Sequence, residues 1–203
     1  MITVVSGVPR SGTSLMMQML VAGGLEPLTD GRRAADAGNP RGYFEWEKAK
    51  ALPIDPGCIR EAEGKVVKVV STLLPSLPNT FDYRVIFMER ALAEVVASQS
   101  AMIQRLGTQA PALPPEVMER ALETHLKQVK AGLRLRPEMR ICWIGHRDVV
   151  QNAQRVCETL QQFLGSPLDL PAMAAHVDPS LYRQRQASDI DSIKQAQAFR
   201  RLA

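Results

Sequence analysis

The sequence predicts a three-layer α/β/α domain built on a central parallel sheet, and three observations carry that reading. Short β-branched runs alternate with helical segments along most of the chain, the pattern of strands joined by crossover helices. The runs are apolar over consecutive residues, as strands covered by helices on both faces should be. The 203 residues are 45% hydrophobic and 23% charged, ordinary globular values that leave room for one domain spanning 1–203.

The first run, Ile2 to Ser6, stops at Gly7 and reads as a buried strand. From Thr13 to about Ala22 the sequence TSLMMQMLVA is apolar nearly all round, a helix buried on several sides. Residues 23–64 are rich in Gly, Pro, Asp and Arg and show no clear period until a short helical candidate near 45–52. A connection that long in a compact domain is usually functional, so it is read as a substrate or lid segment. Val66 to Val70 is a second strand and Tyr83 to Met88 a third, which runs into the helix ALAEVVASQSAMIQRL closed by Gly107. After a Pro-rich break at 111–115, a long amphipathic helix covers 115–135 and stops before Pro137. Arg140 to Ile144 is a fourth strand, followed by a helix from about Val149 to Leu164 with Gly165 as its stop. The tail, 177–203, mixes charge with small residues and reads as a peripheral arm containing a helix.

Charge and cysteine usage narrow the function classes. The 25 basic and 21 acidic residues give a net charge of +4. That excess suits an anionic ligand and is too small to indicate nucleic acid. Cys58, Cys142 and Cys157 are widely spaced and form neither a disulfide framework nor a CxxC pair, so a reducing, cytoplasmic setting is expected. No apolar stretch approaches membrane-spanning length, and the start MITVVSG lacks the basic leader and long apolar run of a signal peptide. No membrane partner is expected.

Between the first strand and first helix lies Gly7-Val8-Pro9-Arg10-Ser11-Gly12-Thr13-Ser14. Two glycines five positions apart let the backbone curl tightly, with several N–H groups facing one point. The helix that follows adds its N-terminal amides and positive dipole end. Ser11, Thr13 and Ser14 contribute hydroxyls. Such a loop holds a phosphate or sulfate group. The spacing is that of a P-loop and the predicted fold is P-loop nucleotide-hydrolase-like, yet Thr13 stands where a nucleotide triphosphatase has lysine. The basic residue has moved into the loop as Arg10. As a bare pattern, the same residues also describe a well-capped strand-to-helix turn.

The third strand ends in Met88-Glu89-Arg90, and Ser98 follows eight residues later on the next helix. An Arg at the carboxyl edge of a strand lies where open α/β sheets bind ligands. Together the two stretches resemble the sulfotransferases that use 3′-phosphoadenosine 5′-phosphosulfate (PAPS). PRSGTS is similar to that family's 5′-phosphosulfate loop, and GVPRSGTSLM is closest to its bacterial and protein-tyrosine branches. Arg90 and Ser98, in VIFMERALAEVVASQ, match the family's 3′-phosphate pair. Lys68 sits at the end of the second strand, where many members carry a lysine before the substrate pocket. QQFLGSPLD is similar to the helix-and-FLG ending late in the family's domain. The sequence departs from the family at Ala91-Leu92, where Asp-Pro is common, and at Gly145-His146-Arg147, where Tyr-Glu often follows the fourth strand. The glycine-rich lysine loop of cytosolic animal members is absent. Arg183 and Arg185 are candidates to replace it, although an exposed basic tail is the preferred reading.

The resemblance implies a cofactor site of Pro9, Arg10, Ser11, Gly12, Thr13, Ser14, Arg90 and Ser98. PAPS would be the co-substrate, adenosine 3′,5′-bisphosphate (PAP) the product, and no metal would be needed. Arg10 would stabilise the charge developing on the leaving oxygen. The acceptor would be a small molecule or peptide, with Lys68 and Tyr43 in its pocket. A general base must take the acceptor's proton. In Asn39-Pro40-Arg41-Gly42-Tyr43-Phe44-Glu45-Trp46-Glu47, three of the chain's ten aromatic residues flank carboxylates. Glu45 is the leading candidate base, with Asp30, Asp36 and Glu47 as rivals and His146 as a second possibility. The alternatives are a P-loop kinase or NTPase, with Glu89 ending an apolar strand like a Walker-B metal ligand, and a non-catalytic nucleotide-binding member of the fold. Oligomeric state is left open.

Overall fold

The computed structural model describes residues 1–36, 39, 41–105, 113–178, 180 and 182. The helix stop Gly107, the start of the Pro-rich break at 111 and the basic pair Arg183 and Arg185 lie outside the described residues.

Five parallel strands form one sheet: β1 (Ile2–Gly7), β2 (Pro27–Leu28), β3 (Val66–Lys68), β4 (Tyr83–Glu89) and β5 (Met139–Gly145). Their spatial order is β2-β3-β1-β4-β5. From β1 the chain goes out to the edge at β2, returns to β3 beside β1, and then crosses to β4 and β5 on the other side. Such a reversal opens a crevice at the strands' carboxyl ends, the ligand position of open α/β sheets. Here it falls beyond β1, between β3 and β4.

Alternation along the strands divides the core into two layers. Ile2, Val4, Tyr83, Val85 and Phe87 face one side, packed with Ala49, Leu52, Ile59, Leu74, Val129 and Leu133. These partners come from three short 3₁₀ turns (Glu47–Ala51, Pro56–Ala62, Ser71–Ser76) and from helix α3 (Pro115–Leu133). Val5, Ile86 and Met88 face the other side, against Met16, Met17, Met19, Leu20, Cys157 and Leu160. That layer is supplied by α1 (Thr13–Ala22), α5 (Ala153–Leu164) and α6 (Leu170–Ala175). The three-layer α/β/α architecture with a parallel sheet is therefore the one the sequence predicts. Helix α2 (Leu92–Arg105) follows β4 directly and α4 (His146–Gln151) follows β5. Among the described residues no helix is long and apolar enough to cross a membrane.

Three elements differ from the sequence reading. Pro27–Leu28 is a fifth strand paired with Val66 and Val67 of β3; two residues are too short to show a period. The second predicted strand ends at Lys68, since the chain turns into a 3₁₀ segment at Ser71. The predicted helix from about Val149 to Leu164 starts earlier, at His146, and is broken at Asn152, whose φ of −138° is not helical. Its predicted stop holds, with Gly165 capping α5 at a φ of 62°.

Phe87 is fully buried at the centre of β4 and its ring packs on Trp143 of β5 at 4.8 Å. Phe87→Ala is expected to lower the unfolding free energy by about 3–5 kcal/mol, read as a reduced urea midpoint with an unchanged slope. A loss below about 1 kcal/mol would mean that this layer is not close-packed.

Candidate functional site

The crevice beyond β1 is a cleft of about 730 Å³, within the usual range for a bound small molecule. Its wall includes Pro9, Arg10, Gly12, Thr13 and Ser14 from the loop, Lys68 from β3, Arg90 and Ser98 from the β4–α2 edge, and His146 from α4. Tyr43 and Glu45 line it from the 23–64 segment. The structure therefore brings together every sequence-predicted site residue except one. Ser11 is fully buried, its N–H donates to Val8 O at 3.1 Å, and it does not line the cleft. Its hydroxyl sits beneath the loop, 2.4 Å from where a Cβ on Gly7 would lie.

The loop needs unusual backbone. Gly7 and Gly12 have φ of 149° and 104°, and Arg10, which is not glycine, has 76°. A side chain at Gly12 would also meet the His146 ring at 2.6 Å. Positive φ at a non-glycine residue costs on the order of 1 kcal/mol and persists only where neighbours enforce it. The neighbours here come from the β4–α2 edge. Arg90 Nη1 donates to Arg10 O at 3.1 Å, Gln99 Nε2 donates to Pro9 O at 3.1 Å, and Arg10 Nε donates to Ser98 Oγ at 3.0 Å. The two motifs that lie far apart in sequence thus touch directly.

Five basic side chains (Arg10, Arg33, Lys68, Arg90, Arg105) and two carboxylates (Glu45, Asp178) line the cleft. Burial pulls Arg10 below its ordinary pKa, and the charges of Arg105 and Arg90 add to the shift, while Tyr43 and Asp36 oppose it. An arginine stays cationic through such a shift, so the cleft offers concentrated positive charge to an anion. Burial, reinforced by Arg33 and opposed by Glu45, pulls the Lys68 ammonium down to about 8. It remains mostly protonated at neutral pH.

Arg33, Asn39, Tyr43 and Glu45 line another part of the cleft, held against α1 and β3. Lys68 Nζ donates to Tyr43 O, and Ser14 Oγ donates to the same carbonyl at 3.4 Å. Tyr43 is buried, its hydroxyl donates to the Asp36 carboxylate at 2.8 Å, and Arg33 lies over its ring at 3.5 Å. Glu45 Oε1 accepts from Arg33 Nη1 at 2.8 Å and lies 3.5 Å from Lys68 Nζ. Of the four carboxylates considered as base, Glu45 lines the cleft. Asp36 is engaged by Tyr43, Asp30 accepts from the Glu47 N–H at 2.7 Å, and Glu47 pairs with Lys50 at 2.8 Å. Glu89, the candidate metal carboxylate of the NTPase reading, pairs with Lys130 and does not line the cleft. Among the described residues no group of three or more His, Cys, Asp or Glu side chains is placed to hold a metal ion.

Sequence reasoning missed several residues here. Arg33 and Arg105 carried no local signal. Glu94 stands four residues after Arg90 in the first turn of α2, a spacing that does predict an ion pair. Asp178 and Tyr182 line the cleft from a tail expected to be peripheral, and their placement follows from tertiary contacts alone.

No protein-family model matches the chain, and comparison with curated proteins returns no match. Among solved structures the chain is similar to a sulfotransferase domain from the curacin biosynthetic pathway, with 16% identity, 92% of each chain covered and a TM-score of 0.49. So loose a likeness assigns no residue its role, and the chemistry of the cleft rests on the contacts above.

His146 gives a direct electrostatic test. Burial, then the charge of Arg90, pulls its pKa down to about 4, with Glu94 opposing. The folded chain binds this proton less tightly than the unfolded chain. The contribution of His146 to stability is therefore full above about 6.5 and is lost as pH falls toward about 4. The His146 ring resonance is expected to titrate near 4, with the urea midpoint falling over the same interval. A midpoint near 6.5 would mean that the ring is solvated.

Proposed function

We propose that the chain is a sulfotransferase that moves a sulfuryl group from PAPS to a hydroxyl or amine of a small-molecule or peptide acceptor. The observation that carries this reading is the junction of the 9–14 loop with Arg90 and Ser98 in one cationic cleft, made by the Arg10–Ser98 and Arg90–Arg10 hydrogen bonds. A donor with phosphate groups at two ends calls for two linked anion sites. The loop suits the 5′-phosphosulfate, and Arg90 with Ser98 suits the 3′-phosphate.

In this reading the acceptor oxygen or nitrogen bonds to sulfur while the bond from sulfur to the bridging phosphate oxygen breaks in line. PAP leaves with that electron pair, and the acceptor proton passes to a base. Arg10 opposes the charge gathering on the leaving oxygen, and the N-terminal amides of α1 add their dipole. Glu45 is the favoured base because it is the carboxylate among the candidates that faces the cleft. Its partners Arg33 and Lys68 hold it in place. Lys68 and Tyr43 form the acceptor wall beside it.

Adenosine 3′,5′-bisphosphate is expected to raise the melting temperature in a concentration-dependent way, whereas ATP with magnesium is not. Transfer of labelled sulfate from PAPS to a panel of phenol, sugar and peptide acceptors is expected to fall about 100-fold or more in Arg10→Ala. Stabilisation by ATP–magnesium alone would overturn the reading. Undiminished transfer by the variant would remove Arg10 from the mechanism.

A further inference from the structure

We infer that Glu94 and Tyr182 are positioning residues that aim Arg90 at the donor's 3′-phosphate, so that the segment reaching Tyr182 completes the anion site. The inference rests on the donor-site reading above.

Arg90 and Glu94 form a buried ion pair, with side chains 9% and 5% exposed and Arg90 Nε 2.8 Å from Glu94 Oε2. The second carboxylate oxygen, Oε1, accepts from the Tyr182 hydroxyl at 2.6 Å. Tyr182 is itself buried, its ring centroid 5.3 Å from the Arg90 guanidinium carbon and 5.0 Å from that of the His146 ring in an edge-to-face pair. Arg90 Nη1 meanwhile donates to Arg10 O. A guanidinium is a planar fork. Bonds from two of its nitrogens, with an aromatic ring against it, fix both its plane and its rotation.

Both halves of the arrangement have a physical need for Tyr182. A buried ion pair is stable only when its remaining hydrogen-bonding capacity is met, and the Tyr182 hydroxyl meets the far oxygen of Glu94. Removing that hydroxyl takes away one restraint on the carboxylate that holds Arg90 toward the cleft. Residues 176–178, shortly before Tyr182, are held by Arg41, which donates to His176 O and lies 3.8 Å from Asp178.

The experiment is calorimetric titration of the full chain with adenosine 3′,5′-bisphosphate and with adenosine 5′-phosphate, for wild type, Tyr182→Phe and Glu94→Gln. Unliganded melting temperatures are recorded alongside. Tyr182→Phe keeps the ring and removes the hydroxyl, so it tests positioning even if Glu94→Gln folds poorly. Wild type is expected to prefer the bisphosphate, and each variant to lose about tenfold of that preference while binding the 5′-phosphate within about twofold of wild type. An unchanged preference, or an equal loss for both ligands in step with a lowered melting temperature, overturns the positioning role. A wild-type chain with no preference for the bisphosphate overturns the donor-site reading itself, and this inference with it.

Discussion

The site depends on a clamp between the β1–α1 loop and the start of α2. The loop adopts backbone that it cannot hold by itself, with positive φ at Gly7, Arg10 and Gly12. Arg90 and Gln99 take two successive loop carbonyls, and Ser98 takes the Arg10 side chain. Those bonds convert a strained turn into a fixed cradle. They also join the residue 9–14 loop to the Arg90–Ser98 edge although Arg10 and Arg90 stand 80 positions apart.

Electrostatics follows from the same clamp. Bringing Arg10, Arg90 and Arg105 to one crevice raises mutual repulsion, and burial removes water that would screen it. Glu94 neutralises Arg90 locally, and Glu45 answers Arg33 and Lys68. The excess of basic groups along the cleft remains, and the polyanionic donor of the proposed reading would relieve it. The cleft is thus one place where basic side chains outnumber carboxylates. The wall of Tyr43, Arg33 and Glu45 is built differently, held by short local contacts.

Much of the fold was legible because it rests on local pattern. The buried runs at Ile2, Val66 and Tyr83 and the edge strand at Arg140 needed only short-range apolarity, and the glycines of the loop needed only spacing. What escaped was set by partners distant in sequence. Pro27–Leu28 is a strand because β3 is beside it. Asn152 interrupts a helix whose apolar period runs straight through the break. In the site, Arg10, Arg90, Ser98 and Lys68 were readable from strand ends and motif spacing. Ser11 was grouped with the cleft because a hydroxyl in a loop has no direction in sequence; the turn sends it underneath. Tyr182 was hidden for the opposite reason, since nothing around it has a period, and its role arises only where Glu94 and Arg90 meet it.

The account turns on one claim, that the loop and the Arg90–Ser98 edge form a single two-ended anion site. A crystal structure of the chain with adenosine 3′,5′-bisphosphate tests it most directly. The account predicts one phosphate cradled by the residue 9–14 loop and the other against Arg90 and Ser98, with the nucleoside spanning the cleft between them. A bisphosphate bound outside the cleft, or with both phosphates away from Arg90 and Ser98, would contradict it.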